Sequence, residues 1–173
     1  MPSTKPQLYR FEDDGQTPNN PRLPLLLYRG VVENGGRDPA AAYETMFEGH
    51  GWGDSWRNGI FPFLHFHAAA HEVLGIARGS AQVQFGGDNG QTLQVEAGDV
   101  VVLPAGTGHR RISASPDLLV VGAYPAGSDY GQHRPGQIDL RQAQVRIASV
   151  PLPDQDPVYG QDGPLIEAWH PHR

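Results

Sequence analysis

Four side chains in this 173-residue sequence have the types and spacing of a metal site: His65, His67, Glu72 and His109. Neutral imidazoles and a carboxylate are the donors that divalent first-row ions take, so iron(II), manganese(II), nickel(II), cobalt(II), copper(II) or zinc would fit. An octahedral ion would keep two positions for water, substrate or dioxygen, whereas zinc is more often satisfied by four ligands. Taken singly, each histidine reads more simply as a core or surface residue with a hydrogen-bond partner. Three features agree against that reading: the His/Glu spacing, the glycines Gly59 and Gly79 that bracket it, and a downstream Gly98…Pro104-Ala105-Gly106…His109 element.

The elements that must position these groups are short strands. Alternate residues of a strand share a face, so His65 and His67 point the same way, with Phe61 and Phe63 beside them. Ala68 to Ala70 form a turn of little bulk, and Glu72 opens the returning strand. The turn Pro104–Gly108 delivers His109 at the start of another strand. His71 neighbours Glu72 and so faces the opposite side; a turn longer by one residue would exchange their roles.

Strand signals recur over 61–67, 72–77, 81–85, 92–96, 100–103, 110–113 and 118–124, separated by Gly/Pro turns, with a hairpin turn at 86–90. This spacing predicts an antiparallel sandwich or barrel. Before it, Leu23 to Tyr28 read as a strand that Val31 and Val32 extend past Gly30, with Pro24 suiting an edge or a strand start. Asp38 caps a helix over 39–48 whose Tyr43, Met46 and Phe47 share one face. Residues 50–58 read as a loop and 145–151 as one further strand. Residues 1–22 read as an extended arm, ordered against a partner, 23–152 as one domain, and 153–173 as a wrapping segment that carries Trp169.

Composition narrows the function. The net charge is −6 and there is no basic run, so nucleic acid is not an expected partner. With no cysteine, disulfides, thiolate metal sites and cysteine nucleophiles are excluded. No apolar run reaches the length of a membrane span, and the first residues lack a signal-peptide core. A soluble cytoplasmic protein is the expectation.

At these residues the chain resembles the cupin superfamily. The first cupin motif, G-x5-H-x-H-x4-E-x6-G, is matched by Gly59, His65, His67, Glu72 and Gly79. The second, G-x5-P-x-G-x2-H-x3-N, is matched by Gly98, Pro104, Gly106 and His109, with Ser113 in place of the final Asn. From Asn20 onward, LPLLLYRG, WGDSWRNGIFPFLHFH, HEVLG and DPVYGQDGPL are similar to the YjlB-type single-domain bacterial cupins. The resemblance implies an all-β double-stranded β-helix (jelly-roll) barrel with one short helix and N- and C-terminal extensions. It also implies one divalent metal ion on His65, His67, Glu72 and His109. Cupins include dioxygenases, isomerases, decarboxylases, storage proteins and sensors, so the fold does not choose among them.

Around that metal, Arg111 lies two residues beyond His109 and could grip a substrate carboxylate; a rim arginine paired with an acid or with water is the equal alternative. Trp52, Trp56, Arg57 and Asn58 could overhang the barrel mouth or simply pack the loop. Gln82 and Gln84 would face either the lumen or solvent. Leu64 and Phe66 are apolar yet face away from the metal, so something must cover them: the 23–32 strand, the helix, or a second subunit. A homodimer is expected on that ground. Three functions follow: a metal-dependent enzyme, dioxygenase- or isomerase-like, on a small carboxylated molecule; a non-catalytic metal- or metabolite-binding module; or a structural protein whose metal only stabilises the barrel.

Overall fold

The computed structural model describes residues 5–33 and 36–170. In chain order the elements are β1 (Gln7–Tyr9), β2 (Leu25–Tyr28), α1 (Pro39–Gly49), β3 (Trp52–Asn58), β4 (Phe66–His67), β5 (Glu72–Arg78), β6 (Ser80–Phe85) and β7 (Gln91–Glu96). They continue with β8 (Val100–Leu103), β9 (His109–Ala114), β10 (Leu119–Pro125), β11 (Gln132–His133), α2 (Leu140–Ala148) and α3 (Pro164–Trp169). The strands form a six-stranded antiparallel sheet, β1-β2-β8-β5-β10-β3, a three-stranded sheet, β7-β6-β9, and a two-stranded ribbon, β11-β4.

Alternation along the strands sorts the core into layers. Leu25 and Leu27, Leu74 and Ile76, Val101 and Leu103 of the large sheet meet Ala81, Val83 and Phe85 of β6 and Leu93 and Val95 of β7. The other face of the large sheet, with Leu26, Tyr28, Val73, Val100, Val102 and Val121, packs under α1 and α3. Asp38 caps α1 through Ala41 N, Pro39 starts it, and Ala40, Tyr43 and Phe47 are the buried stripe. Gly75 makes this packing possible: a Cβ there would lie 2.2 Å from the Tyr43 ring.

Several expectations need correcting. The stretch 50–58 is not a loop: it is the edge strand β3, paired with β10. The strand expected over 61–67 is reduced to β4: before it, the chain meets β9 through a His65–His109 bridge and a bond from Arg111 N to Phe61 O at 2.9 Å, without continuous pairing. Residues 145–151 hold no strand. They are the end of α2 and the loop after it, with Val145 exposed and Ala143 and Ile147 buried at helical spacing. Three helices, rather than one, stand among the described residues. The described part of the arm packs on its own chain: β1 pairs with β2, which is therefore not an edge, and Thr17, Asn19 and Asn20 are buried. Phe66 is covered by α2, through Ala143 and Ile147, together with Ala68 and Ala105. Neither the 23–32 strand nor α1 belongs to the cluster that covers Phe66.

Candidate metal centre

His65 and His109 stand opposite each other in an antiparallel bridge. His65 N donates to His109 O at 3.2 Å and His109 N to His65 O at 3.0 Å. Opposed residues of such a pair send their side chains to the same side, and the two rings lie 4.1 Å apart. Glu72 comes from the large sheet. In β5 it shares the inner face with Leu74 and Ile76 and is followed on the outer face by Val73. His67 comes from β4, held by pairing with Gln132 and by Gly106 N, which donates to His67 O at 2.7 Å.

The turn that delivers His109 is built against the arm. Asn19 Oδ1 accepts from Gly108 N at 3.0 Å, and Asn20 Nδ2 donates to Ala105 O at 3.0 Å. Gly106 has φ +93°, and a Cβ on it would lie 2.5 Å from Asn19 O, so conformation and contact both require glycine there. No sequence signal marked Asn19 and Asn20 as part of the site; they sit some 90 residues upstream in a stretch that reads as polar arm.

All four groups are buried and converge. His67 Nε2 is 3.4 Å from Glu72 Oε2, and His109 Nε2 is 3.3 Å from Glu72 Oε1. Each histidine places its other nitrogen on a backbone carbonyl: His65 Nδ1 on Phe63 O at 3.0 Å, His67 Nδ1 on Gly131 O at 3.3 Å, His109 Nδ1 on Thr107 O at 3.1 Å. A carbonyl only accepts, so each Nδ1 carries a proton, and a ring in its neutral form offers its Nε2 lone pair. Lone pairs of His67 and His109 then face carboxylate oxygens across gaps that need a cation, whether a proton or a metal ion. Glu72 Oε1 has no hydrogen-bond partner. As they stand, the four groups are held to one another: among the described residues no three His, Asp or Glu side chains are set tightly enough to hold a metal ion without adjustment.

Electrostatics follow from burial. Desolvation and the neighbouring His109 push His65 down to about 3, so it is neutral at physiological pH. Desolvation opposes charge on His67 as well, but the Glu72 carboxylate outweighs it and raises its pKa. Burial alone would raise Glu72; the His67 and His109 imidazoles hold it well below the usual carboxylate range.

His71 belongs elsewhere. Its Nδ1 accepts from Ala105 N at 2.9 Å, its Nε2 lies 3.2 Å from Pro151 O, and its ring packs on Trp169. It carries its proton on Nε2, the opposite tautomer to the three histidines of the site.

A cavity of about 250 Å³ opens beside Glu72, lined by Trp56, Ile60, Phe61, Leu74, Tyr124 and Gln132 among others. Arg111 shares a face of β9 with His109, through pairing with Val83, but is not among the residues that line the cavity. Arg57 does reach its rim, yet its guanidinium is bound to Asp38 at 3.1 Å and to Glu44 at 2.6 Å. Trp52 is buried in the outer core, and Gln82 and Gln84 do not line the cavity. Tyr124, which sequence reasoning missed, does: the β10–β5 register, Gly122 to Leu74 and Ala123 to Val73, carried one step on sets it opposite Glu72. Strand alternation from Glu72 could have found it once the pairing was known.

Residues 53–128 match the cupin family model. The uncharacterized protein YjlB of Bacillus subtilis (strain 168) is 40% identical over 163 residues, spanning 94% of this chain and 96% of that protein. The chain is a YjlB-type cupin. Among solved structures, this cupin is similar to an uncharacterized Klebsiella pneumoniae protein with a double-stranded β-helix domain, at 14% identity and TM-score 0.39, covering 79% of this chain and 85% of that one. It is also similar to acireductone dioxygenase from Bacillus anthracis with a cadmium ion in its active centre, at 14% identity and TM-score 0.40, covering 61% and 83%. A third likeness, to Bacillus subtilis oxalate decarboxylase, has 20% identity and TM-score 0.40, and spans 66% of this chain but 28% of that one. At these scores the three structures decide nothing about function. Among the described residues no helix is long and apolar enough to cross a membrane.

Proposed function

We propose that this cupin holds one divalent first-row metal ion on His65, His67, His109 and Glu72 and uses it to transform a small molecule in the adjoining cavity. The observation that carries the reading is the common set of the three imidazoles, each with Nδ1 tied to a backbone carbonyl and Nε2 turned inward. That arrangement fixes tautomer and ring orientation, as it does in metal-ligating histidines. The partnerless Glu72 Oε1 supports it, because a buried carboxylate oxygen without a donor is costly unless a cation completes it. Two donors about 2.1 Å from one ion lie about 3.0 Å apart at a right angle and about 3.4 Å apart at the tetrahedral angle. The two separations to Glu72, 3.3 and 3.4 Å, are in that range.

When bound, such an ion supplies Lewis acidity or a place for dioxygen. The chain supplies the rest: Glu72 holds the charge of the ion, Ile60, Phe61 and Leu74 exclude water, and Trp56 and Tyr124 provide hydrogen-bonding groups on the cavity wall. Arg111 is not part of this reading, so a substrate carboxylate would bind the ion itself.

Cobalt(II) reconstitution tests it. The visible spectrum should show a five- or six-coordinate ion, and azide should shift its bands by entering an open position. A cobalt spectrum indifferent to azide would contradict the catalytic reading and leave a storage or structural role for the ion. A homodimer is proposed only as a separate matter; light scattering at micromolar concentration decides it.

A further inference from the structure

Tyr124 has a more particular setting than the other residues of the cavity wall. In the β10–β3 register Gly122 stands opposite Trp56, and the pairing then slips before Tyr124. The Trp56 indole occupies the space over Gly122, where a Cβ would lie 2.1 Å from its ring carbons. From that seat Trp56 Nε1 donates to Tyr124 Oη at 2.9 Å. Tyr130 stacks on the phenol ring from outside, with centroids 4.2 Å apart and planes within 6°, and His67 meets it edge-on at 5.6 Å. The ring is therefore fixed on both sides, and one lone pair of its oxygen is taken. What remains is the hydroxyl proton, and Glu72 is the anionic group that shares the cavity wall with it.

The charge of the cavity limits what could compete for that proton. Apart from its histidines, Arg57 is the one cationic side chain among the described lining residues, and Asp38 and Glu44 neutralise it. Glu72 already brings one negative charge. A volume of about 250 Å³ lies below the usual range of small-molecule pockets, about 300–1,000 Å³. A ligand here is compact, has an apolar or aromatic body, and carries no more charge than the ion can balance.

Resting on the metal reading above, we propose that Tyr124, seated by Trp56 over Gly122, positions the ligand by donating its hydroxyl proton in a hydrogen bond to a ligand oxygen at the metal, and that the cavity selects a small, at most singly anionic molecule with an apolar body. A carboxylate that shares its lone pairs with a cation is a weaker acceptor, so an incoming oxygen takes the phenol proton in preference to Glu72. Tyr124 is thus a positioning residue whose orientation depends on one indole N–H.

Calorimetric titration of the metal-loaded protein with benzohydroxamate, a singly charged chelator with an aromatic body, provides the test. Tyr124→Phe should weaken binding about tenfold, in line with the loss of one hydrogen bond, while metal content stays at that of the wild type. Trp56→Phe, which keeps an aromatic side chain but removes the N–H together with part of the ring over Gly122, should weaken it by a similar factor. The double variant should lose little more than either single one, because both act through one hydroxyl. Phthalate, a dianion of similar body, should bind at least tenfold more weakly than benzohydroxamate. Equal affinity of wild type and Tyr124→Phe with metal retained overturns this inference alone, as does phthalate binding as tightly as the hydroxamate. Additive losses in the double variant overturn the role given to Trp56. A wild-type protein that takes up no metal overturns the metal reading and this inference together.

Discussion

Two histidines one and five residues from Glu72 have opposite tautomers, and the difference separates their roles. His67 offers Nε2 to the carboxylate, whereas His71 accepts a backbone N–H on Nδ1 and places Nε2 on a carbonyl. Burial pushes His71 down to about 4. The folded protein therefore refuses a proton that the unfolded chain takes up near 6.5, and this histidine's contribution is intact above 6.5 and is lost as pH falls from there toward about 4. Its share of that loss is on the order of 3 kcal/mol, and His71→Gln should flatten the acid limb of a urea-melt stability curve while leaving metal content unchanged. His67 has the other sign. Its raised pKa means that a proton sits between it and Glu72 at mildly acid pH, so an incoming ion must expel it. Metal uptake should release about one proton below neutrality and weaken as pH falls. Calorimetry in buffers of different ionisation enthalpy measures that release.

Elements carry the site to its place, and they were unevenly legible. Strands β6 and β7 alternate apolar and polar residues, β5 and β8 are short apolar runs, and turns separate them, so the number and order of β5 to β9 could be read directly. The ligand candidates could be read too: Glu72 and His109 open β5 and β9, and His65 and His67 stand two apart just before β4 and in it. β3 was hidden: its Gly53 and Asp54 look like loop residues, and its pairing with β10 is a tertiary choice that local pattern does not express. α2 was hidden for a related reason, since Val145 and Ile147 suit a strand until Asp139 is recognised as the cap that starts a helix. The contacts of Asn19 with Gly86 and Gly108 were invisible because they join positions far apart in sequence, and a third, to Glu12 O, lies within the arm. Asn19→Ala removes them together and should cost roughly 2–3 kcal/mol in thermal or urea unfolding, with weaker metal affinity, as the turn before His109 loosens.

At the scale of the molecule, the large sheet is the shared wall between a site layer and a packing layer, and the C-terminal segment closes the packing side. Asp156 is its anchor. Fully buried, its carboxylate accepts from Val158 N at 2.7 Å, Tyr159 N at 3.0 Å and Leu165 N at 3.0 Å, and from the Tyr28 hydroxyl of β2. Trp169 Nε1 adds a bond to Pro24 O at 2.9 Å. The DPVYGQDGPL phrase noted in the sequence is therefore a structural clasp rather than part of the cavity. Asp156→Ala should destabilise the fold by about 3 kcal/mol or more, because it strands several buried donors at once. Metal stoichiometry in the fraction that remains folded should not change. The central claim concerns the other layer, and the most direct measurement is metal content per chain by elemental mass spectrometry, on untagged protein purified without added metal and again after reconstitution. The account predicts about one equivalent of a divalent first-row ion in the wild type, lost in His67→Ala and retained in His71→Gln. No ion in the wild type even after reconstitution, or an ion that survives His67→Ala undiminished, would contradict it.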